Sequence, residues 1–166
     1  MEKKKAELFD EDELLEEDDT QKDRYLTFRL ADEDYGIEIC HVTEIIGLQK
    51  ITQVPDMPDF VKGVINLRGQ VIPVMDVRAR FHQPARDYDD RTCIVVVQIG
   101  EARIGLIVDT VSEVRDIPAE SVSPPPQIAK GTKSRYIKGM GRVDENVKIL
   151  LDVNKLLFEE ELAQLP

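Results

Sequence analysis

From Tyr25 the chain alternates apolar and polar side chains in "YLTFRL", breaks at the polar "ADED", and resumes with β-branched residues in "YGIEI". A period of two interrupted by turn residues predicts a β-hairpin. Short strand-like runs recur along the rest of the chain with turn signals between them. The helical stretches are short: one after Asp76, one after Asp152 and one near the C-terminus. These elements predict a mainly β protein.

The strand pattern also repeats. "YGIEICHVTEI" (35–45) aligns with "IGLIVDTVSEV" (104–114) at an offset of 69, setting Gly36 against Gly105, Val42 against Val111 and Glu44 against Glu113. "YLTFRL" and "IVVVQI" align at the same offset. Further on, "VKGVINLRGQVIPVMDV" (61–77) aligns with "IKGMGRVDENVKILLDV" (137–153) at an offset of 76, the extra residues falling in the Pro-rich "SPPPQIAKG". Alternating valines alone do not place Gly, Glu, Lys-Gly and Asp-Val in one order twice. Each copy, approximately 25–82 and 93–157, holds about five strands, enough to close a small barrel but marginal in size for a core of its own. Two barrels sharing an apolar seam would meet that need, with exchange of strands between the copies left open.

Composition agrees with one such domain, here placed at 24–163. The chain has 166 residues, 42% of them hydrophobic, and a net charge of −11. Residues 1–24 hold eleven acids and five bases, so 1–23 reads as an acidic, disordered tail. The alternative is a short helix that docks on a partner through Leu8, Leu14 and Leu15. An acidic balance without a basic cluster repels phosphate backbones and anionic lipid surfaces, which argues against nucleic acid as a partner. The start "MEKKKAELFDEDELLEEDD" turns acidic where a signal peptide turns apolar, and no run approaches the ~18 apolar residues of a membrane span. The expected location is the cytoplasm.

Candidate chemistry is sparse. Cys40 and Cys93 each lie in an apolar stretch and read as buried reduced thiols, a bridge between them being the alternative. Cys40-His41, His82 and Cys93 show no metal-ligand spacing, and adjacent residues of an extended chain point to opposite faces, so no metal or cofactor site is expected. Asp76 and Asp152 occupy equivalent positions, either as a carboxylate pair for acid/base chemistry or, the favoured reading, as N-caps of the short helices that follow. Gly63, Gly69, Gly139 and Gly141 sit inside strand-like runs and mark bulges, turns or close backbone approach rather than a phosphate loop. Pro73 cannot donate to a central ladder, which predicts an open edge, a barrel corner or a bulge there. At the tip "NLRGQV" Arg68 answers Asp144, with Gly69 and Asn146 available for positive φ. Turn geometry therefore does not demand an arginine. A solvated surface charge is one reading, and an interface anchor in an apolar frame is the other.

The stretches "YGIEICHVTEI", "VPDMPDFVKGVINLRGQVIPVMDVRARF", "IGLIVDTVSEV" and "ILLDVNKLL" resemble the CheW-like family of chemotaxis coupling proteins from about Tyr25 to Leu162. "VKGVINLRG" followed by "IPVMDVR" is the most specific part. The resemblance implies two intertwined five-stranded SH3-like β-barrels related by pseudo-symmetry, and a non-enzymatic adaptor that joins the cytoplasmic tips of chemoreceptors to the histidine kinase CheA, whose regulatory domain is itself CheW-like, in extended receptor arrays. Position by position it implies that Arg68 belongs to the receptor-binding surface. Val71, Cys93, Ile94, Val111 and Val114 would line or flank the groove that takes a receptor helix. Val42, Glu44 and Gly63 would contact kinase or receptor. The other readings are an enzyme using Asp76 and Asp152, a CheW-like adaptor of a different chemosensory system such as surface motility, and a homo-oligomeric structural protein pairing at the Pro73 edge.

Overall fold

The computed structural model describes residues 22–125 and 136–156. The expected acidic tail and C-terminal helix lie outside them. The strands run β1 Arg24–Leu30, β2 Glu33–Glu38, β3 Val42–Gly47, β4 Val61–Leu67, β5 Gln70–Asp76, β6 Cys93–Ile99, β7 Ala102–Val108, β8 Thr110–Asp116, β9 Val122–Ser123, β10 Ile137–Val143 and β11 Asn146–Leu151.

They form two sheets, ordered β8-β1-β2-β11-β10-β9 and β3-β6-β7-β5-β4. The two orders are the same order under the repeat. β8 answers β3, the hairpin β1–β2 answers β6–β7, and β11–β10 answers β5–β4. β2 pairs parallel with β11 and β7 parallel with β5, the other pairings being antiparallel. The first hairpin of each repeat is thus built into the sheet of the other, which is the intertwining expected of the fold. The sixth strand, β9, has two residues, and its counterpart in the other barrel is a single bridge from Thr52 to Val64.

The exchange explains the nearly continuous apolar run of β6 and the burial of β1 on both faces, Thr27 included. In β6, Cys93, Val95, Val97 and Ile99 pack on the core shared by both sheets, whereas Ile94 and Val96 point into the β3–β7 barrel with Ile65, Leu67, Ile72, Val74 and Ile107. In β1, Leu26, Phe28 and Leu30 join the shared core while Tyr25 enters the smaller interior of the other barrel with Ile117, Val143 and Leu150. A strand buried on both faces loses its polar alternation. Only Arg29 and Gln98, equivalent residues, remain exposed inside these runs.

Arg80 is buried in the seam, with its guanidinium 4.2 Å from the ring centroid of Phe60 and 4.9 Å from that of Tyr136, two repeat-equivalent aromatics. Its Nε donates to the carbonyl of Leu156 at 2.8 Å. Phe60 and Tyr136 also offer their carbonyls to the equivalent amides of Asp76 and Asp152. One buried cation therefore ties the ends of both repeats together.

Asp76 Oδ1 accepts from the Ala79 amide at the start of the one-turn helix Val77–Arg80. After Asp152 the chain makes a 3-10 turn, Val153–Lys155, in place of an α-helix, and Asp152 accepts from the Asn154 amide. Pro73 is buried, and the parallel ladder of β5 with β7 begins only at Val74, so the missing N–H faces the point where that pairing starts.

A second link crosses the exchange. Asp109, after β7, accepts from Arg78 Nε and Nη2 at 2.8 and 2.6 Å and from the Ala31 amide of the β1–β2 turn at 2.8 Å. Burial pushes the Asp109 carboxyl up, but the Arg78 guanidinium and the Ala31 amide outweigh it and hold it below the usual carboxylate range. A depressed native value means that the unfolded chain binds the proton more readily, so this contribution is full above the ordinary aspartate value of about 4 and fades below it. Asp109→Asn should cost about 1–3 kcal/mol at pH 7. In urea melts, its deficit against the parent should shrink as pH falls below about 4.

Candidate interaction surface

The hairpin β4–β5 turns at Arg68 and Gly69, which have φ of 52° and 85°. Two successive left-handed residues match the right-handed twist of a tight hairpin, and Asn66 Oδ1 accepts from the Gly69 amide at 2.8 Å. The Arg68 guanidinium reaches Glu44 on β3, placing Nη2 2.7 and 2.9 Å from the two carboxylate oxygens. β3 and β4 are opposite ends of the five-strand order, so this ion pair spans the mouth of the barrel where the sheet closes on itself. The Arg68 side chain is 58% exposed and that of Glu44 is 13% exposed. Beside it on β5, Val71 is 61% exposed.

The other barrel carries the same strut with its sign reversed. Asp144, at the equivalent tip with φ of 56°, pairs with Arg115 of β8 at 3.2 Å, and Arg115 also holds Glu113 at 3.0 Å. The positive φ belongs to Asp144 and not, as expected, to Asn146, which is already the first residue of β11. Glu113, the repeat mate of Glu44, keeps its sign, and the cation that meets the acidic tip is Arg115, two residues further along the facing strand.

A second group lies where the barrels meet. Cys93 and Val111 are partly buried against the shared core, as is Ile45. The Cys93 thiol donates to the Arg91 carbonyl at 3.2 Å, and burial pushes it up. Val111 stands opposite Phe28 and Val114 opposite Leu26 in the β1–β8 register. Cross-strand partners share a face, so both valines line the side of their sheet that faces the seam, and Val114 is exposed. Gly47 is paired with Cys93 across β3 and β6. The three residues from Glu44 to Gly47 span roughly 10 Å, and they connect the ion pair at the barrel mouth to this groove.

Three expected surface residues lie inside. Ile94 has no exposed surface and fills the β3–β7 barrel, and Val42 is buried in the shared core. Gly63 has φ of 147°, and a Cβ there would collide with the Thr52 carbonyl oxygen. The register of β4 on β5 shifts at Gly63, and that of β10 on β11 at the equivalent Gly139. These positions shape the surface from beneath. Exposed Leu48 and Val147 were missed, although Val147 could have been found as the repeat mate of Val71.

Asp76 and Asp152 form no pair. Asp76 is buried, capping Ala79 and accepting from the Tyr88 hydroxyl at 2.7 Å. A half-open pocket of about 370 Å³ is lined by Glu33, Tyr35, Phe81, Gln83, Ile137, Ile149 and Leu151, and includes neither aspartate. The expectation for Cys40 and His41 also needs correction. Ile39–His41 is a 3-10 turn and not extended chain, Cys40 is exposed, and both cysteines are free. No helix among the described residues is long and apolar enough to cross a membrane.

Two barrels that exchange hairpins, with a charged strut at the mouth of one and the partly exposed apolar side chains of Cys93, Val111 and Val114 where they meet, define a two-barrel scaffold. The CheW-like domain model matches residues 24–161, and the chain belongs to that family. It is 40% identical over 145 residues to a chemotaxis protein CheW of Klebsiella aerogenes, 87% of each chain being covered. It is 29% identical over 135 residues to the protein FrzA of Myxococcus xanthus, covering 80% of this chain and 84% of that one. The crystal structure of the scaffolding protein TtCheW from Thermoanaerobacter tengcongensis has a TM-score of 0.77 and 34% identity, covering 84% of this chain and 94% of that one. The chain is a non-enzymatic CheW-type adaptor of chemotaxis signalling that links chemoreceptors to CheA.

The collision predicted at Gly63 separates structural from contact roles. Gly63→Ala should lower the melting temperature by several degrees, as expected for about 2 kcal/mol or more of backbone strain. A parent-like melt with impaired partner binding would instead make Gly63 a contact residue.

Proposed function

We propose that the barrel mouth formed by Arg68, Glu44 and Val71, together with the groove at Cys93, Val111 and Val114, is the receptor-binding face. The CheA regulatory domain would then bind the surface shaped by Val42, Glu44 and Gly63. The observation that carries this reading is the Arg68–Glu44 pair, in which one guanidinium nitrogen reaches both carboxylate oxygens beside exposed Val71. Its position is fixed by a left-handed turn, so little side-chain freedom remains to be lost on binding. A receptor helix lying in the groove would bury its apolar face against Val111 and Val114, and its acidic or polar groups would share the outer face of the Arg68 guanidinium. Affinity at one such site is modest. Assembly into arrays at membrane-bound receptors, with the adaptor itself in the cytoplasm, raises occupancy through effective concentration.

A second reading, an adaptor of a different chemosensory system, is favoured by the match to FrzA over 80% of the chain. It uses the same surface and differs in which receptors occupy it. Pull-downs with receptor cytoplasmic fragments and CheA, separately and together, distinguish the two. Binding to neither would end the first reading.

Arg68→Ala removes an exposed pair worth at most about 1 kcal/mol. Its melting temperature should stay within a few degrees of the parent, while co-sedimentation with receptor fragments falls severalfold. Undiminished co-sedimentation would remove Arg68 from the interface.

A further inference from the structure

The chain passes from one barrel to the other between β2 and β3, through the 3-10 turn Ile39–His41. A turn of three residues per revolution stacks side chains three residues apart, here Glu38 and His41, with Cys40 beside them. Here it gathers a carboxylate, a thiol and an imidazole: one ligand atom each from Glu38, Cys40 and His41 lies within 4.8 Å of the others. The Cys40 sulfur is 3.7 Å from Glu38 Oε2. We propose that these three residues form a zinc-binding site at the crossover between the barrels.

The donor set and the geometry point to that ion. One sulfur, one nitrogen and one oxygen donor suit borderline-soft Zn²⁺, whereas Mg²⁺ and Ca²⁺ call for oxygen alone. Tetrahedral zinc with bonds of about 2.0–2.3 Å sets its donors about 3.5 Å apart. The Cys40–Glu38 separation is already close to this, and side-chain rotation of about 1 Å closes the remainder. The set is open to solvent, with Cys40 exposed and Glu38 and His41 partly so. A water completes the fourth position, and the thiol proton leaves to solvent as the Zn–S bond forms.

Lys138 is the neighbour that must be accounted for. Its ammonium pairs with Glu38 Oε1 and donates to the Tyr25 hydroxyl. It therefore occupies the oxygen turned away from Cys40 and leaves Oε2 for the ion. A ligating carboxylate whose second oxygen is held by a donor is a common supporting arrangement. The nearby positive charge weakens the site relative to an unpaired carboxylate, so micromolar affinity is expected and not the tighter binding of a closed structural site. Since the turn joins β2 of one sheet to β3 of the other, an ion that binds the folded turn more tightly than the unfolded segment stabilises the crossover.

Titration of the full chain with Co²⁺ as a spectroscopic probe tests the site. One equivalent should produce a thiolate-to-cobalt charge-transfer band and tetrahedral d–d bands, reversed by Zn²⁺. Cys40→Ser should abolish the charge-transfer band, His41→Ala should weaken binding at least tenfold, and Cys93→Ser should leave both unchanged. Zn²⁺ at a hundredfold excess over its dissociation constant should raise the melting temperature of the parent by roughly 5 °C, and that of Cys40→Ser by much less. Absence of the charge-transfer band, the same band from Cys40→Ser, or its loss in Cys93→Ser would overturn the proposal.

Discussion

Each barrel is closed by a hairpin that belongs to the other repeat, and the rest of the molecule depends on this exchange. β1–β2 stands between β8 and β11, and β6–β7 between β3 and β5, so neither half of the chain holds a complete sheet. The apolar runs of β1 and β6 have a partner on both faces only when both barrels exist. The shared core draws Leu26, Phe28, Val95, Val97, Leu106 and Leu151 from both sheets. Arg80 strengthens the same dependence. A guanidinium buried between Phe60 and Tyr136 is favourable only when the ends of both repeats are in place, since leaving it buried without those partners would cost several kcal/mol. Folding of the two barrels is therefore expected to be a single cooperative event.

On this nearly symmetric frame the departures from symmetry are informative. The struts at the two barrel mouths use equivalent hairpin tips, the equivalent facing strand and opposite charges at the tip: Arg68 to Glu44 in one, Asp144 to Arg115 in the other. Either polarity closes a barrel equally well. Closure is thus indifferent to which barrel presents the exposed cation, while a partner is not. The surfaces beside them also differ, since Val71 and Val147 are equivalent and both exposed but adjoin tips of opposite sign. Two similar barrels consequently offer electrostatically distinct faces, as an adaptor holding two different partners requires.

Much of this was legible in the sequence because it is local. The offsets of 69 and 76 identify the repeat, and the Gly63 bulge, the tip turn at Gly69 and the caps at Asp76 and Asp152 follow from residue types with narrow backbone preferences. Strand pairing is less accessible. Nothing in "YLTFRL" says that its neighbour is β8 and not β3, because either would cover the same apolar face. The inward placement of Ile94 has the same origin, since a strand buried on both sides carries no alternation to reveal which face is which, whereas Val42 is buried where β3 leaves the crossover turn. Cys40 and His41 were misjudged because the apolar stretch around them reads as continuous strand, and the three-residue turn that brings them together is set by the crossover between barrels.

An adaptor without chemistry of its own conveys a signal only through how it positions its partners. The core built by the exchange is close-packed from both repeats, and such interiors shift between discrete arrangements more readily than they deform continuously. A partner that moves against such a core displaces the barrels as bodies. β3 lies between the candidate sites: it ends one side of its sheet, carries Glu44 at the barrel mouth, and sets Gly47 opposite Cys93. It also begins directly after the turn that joins the two barrels. A change in the Arg68–Glu44 pair, in the groove or at the crossover turn acts on this one strand, so the three sites are mechanically coupled by chain connectivity even though they lie on separate parts of the surface.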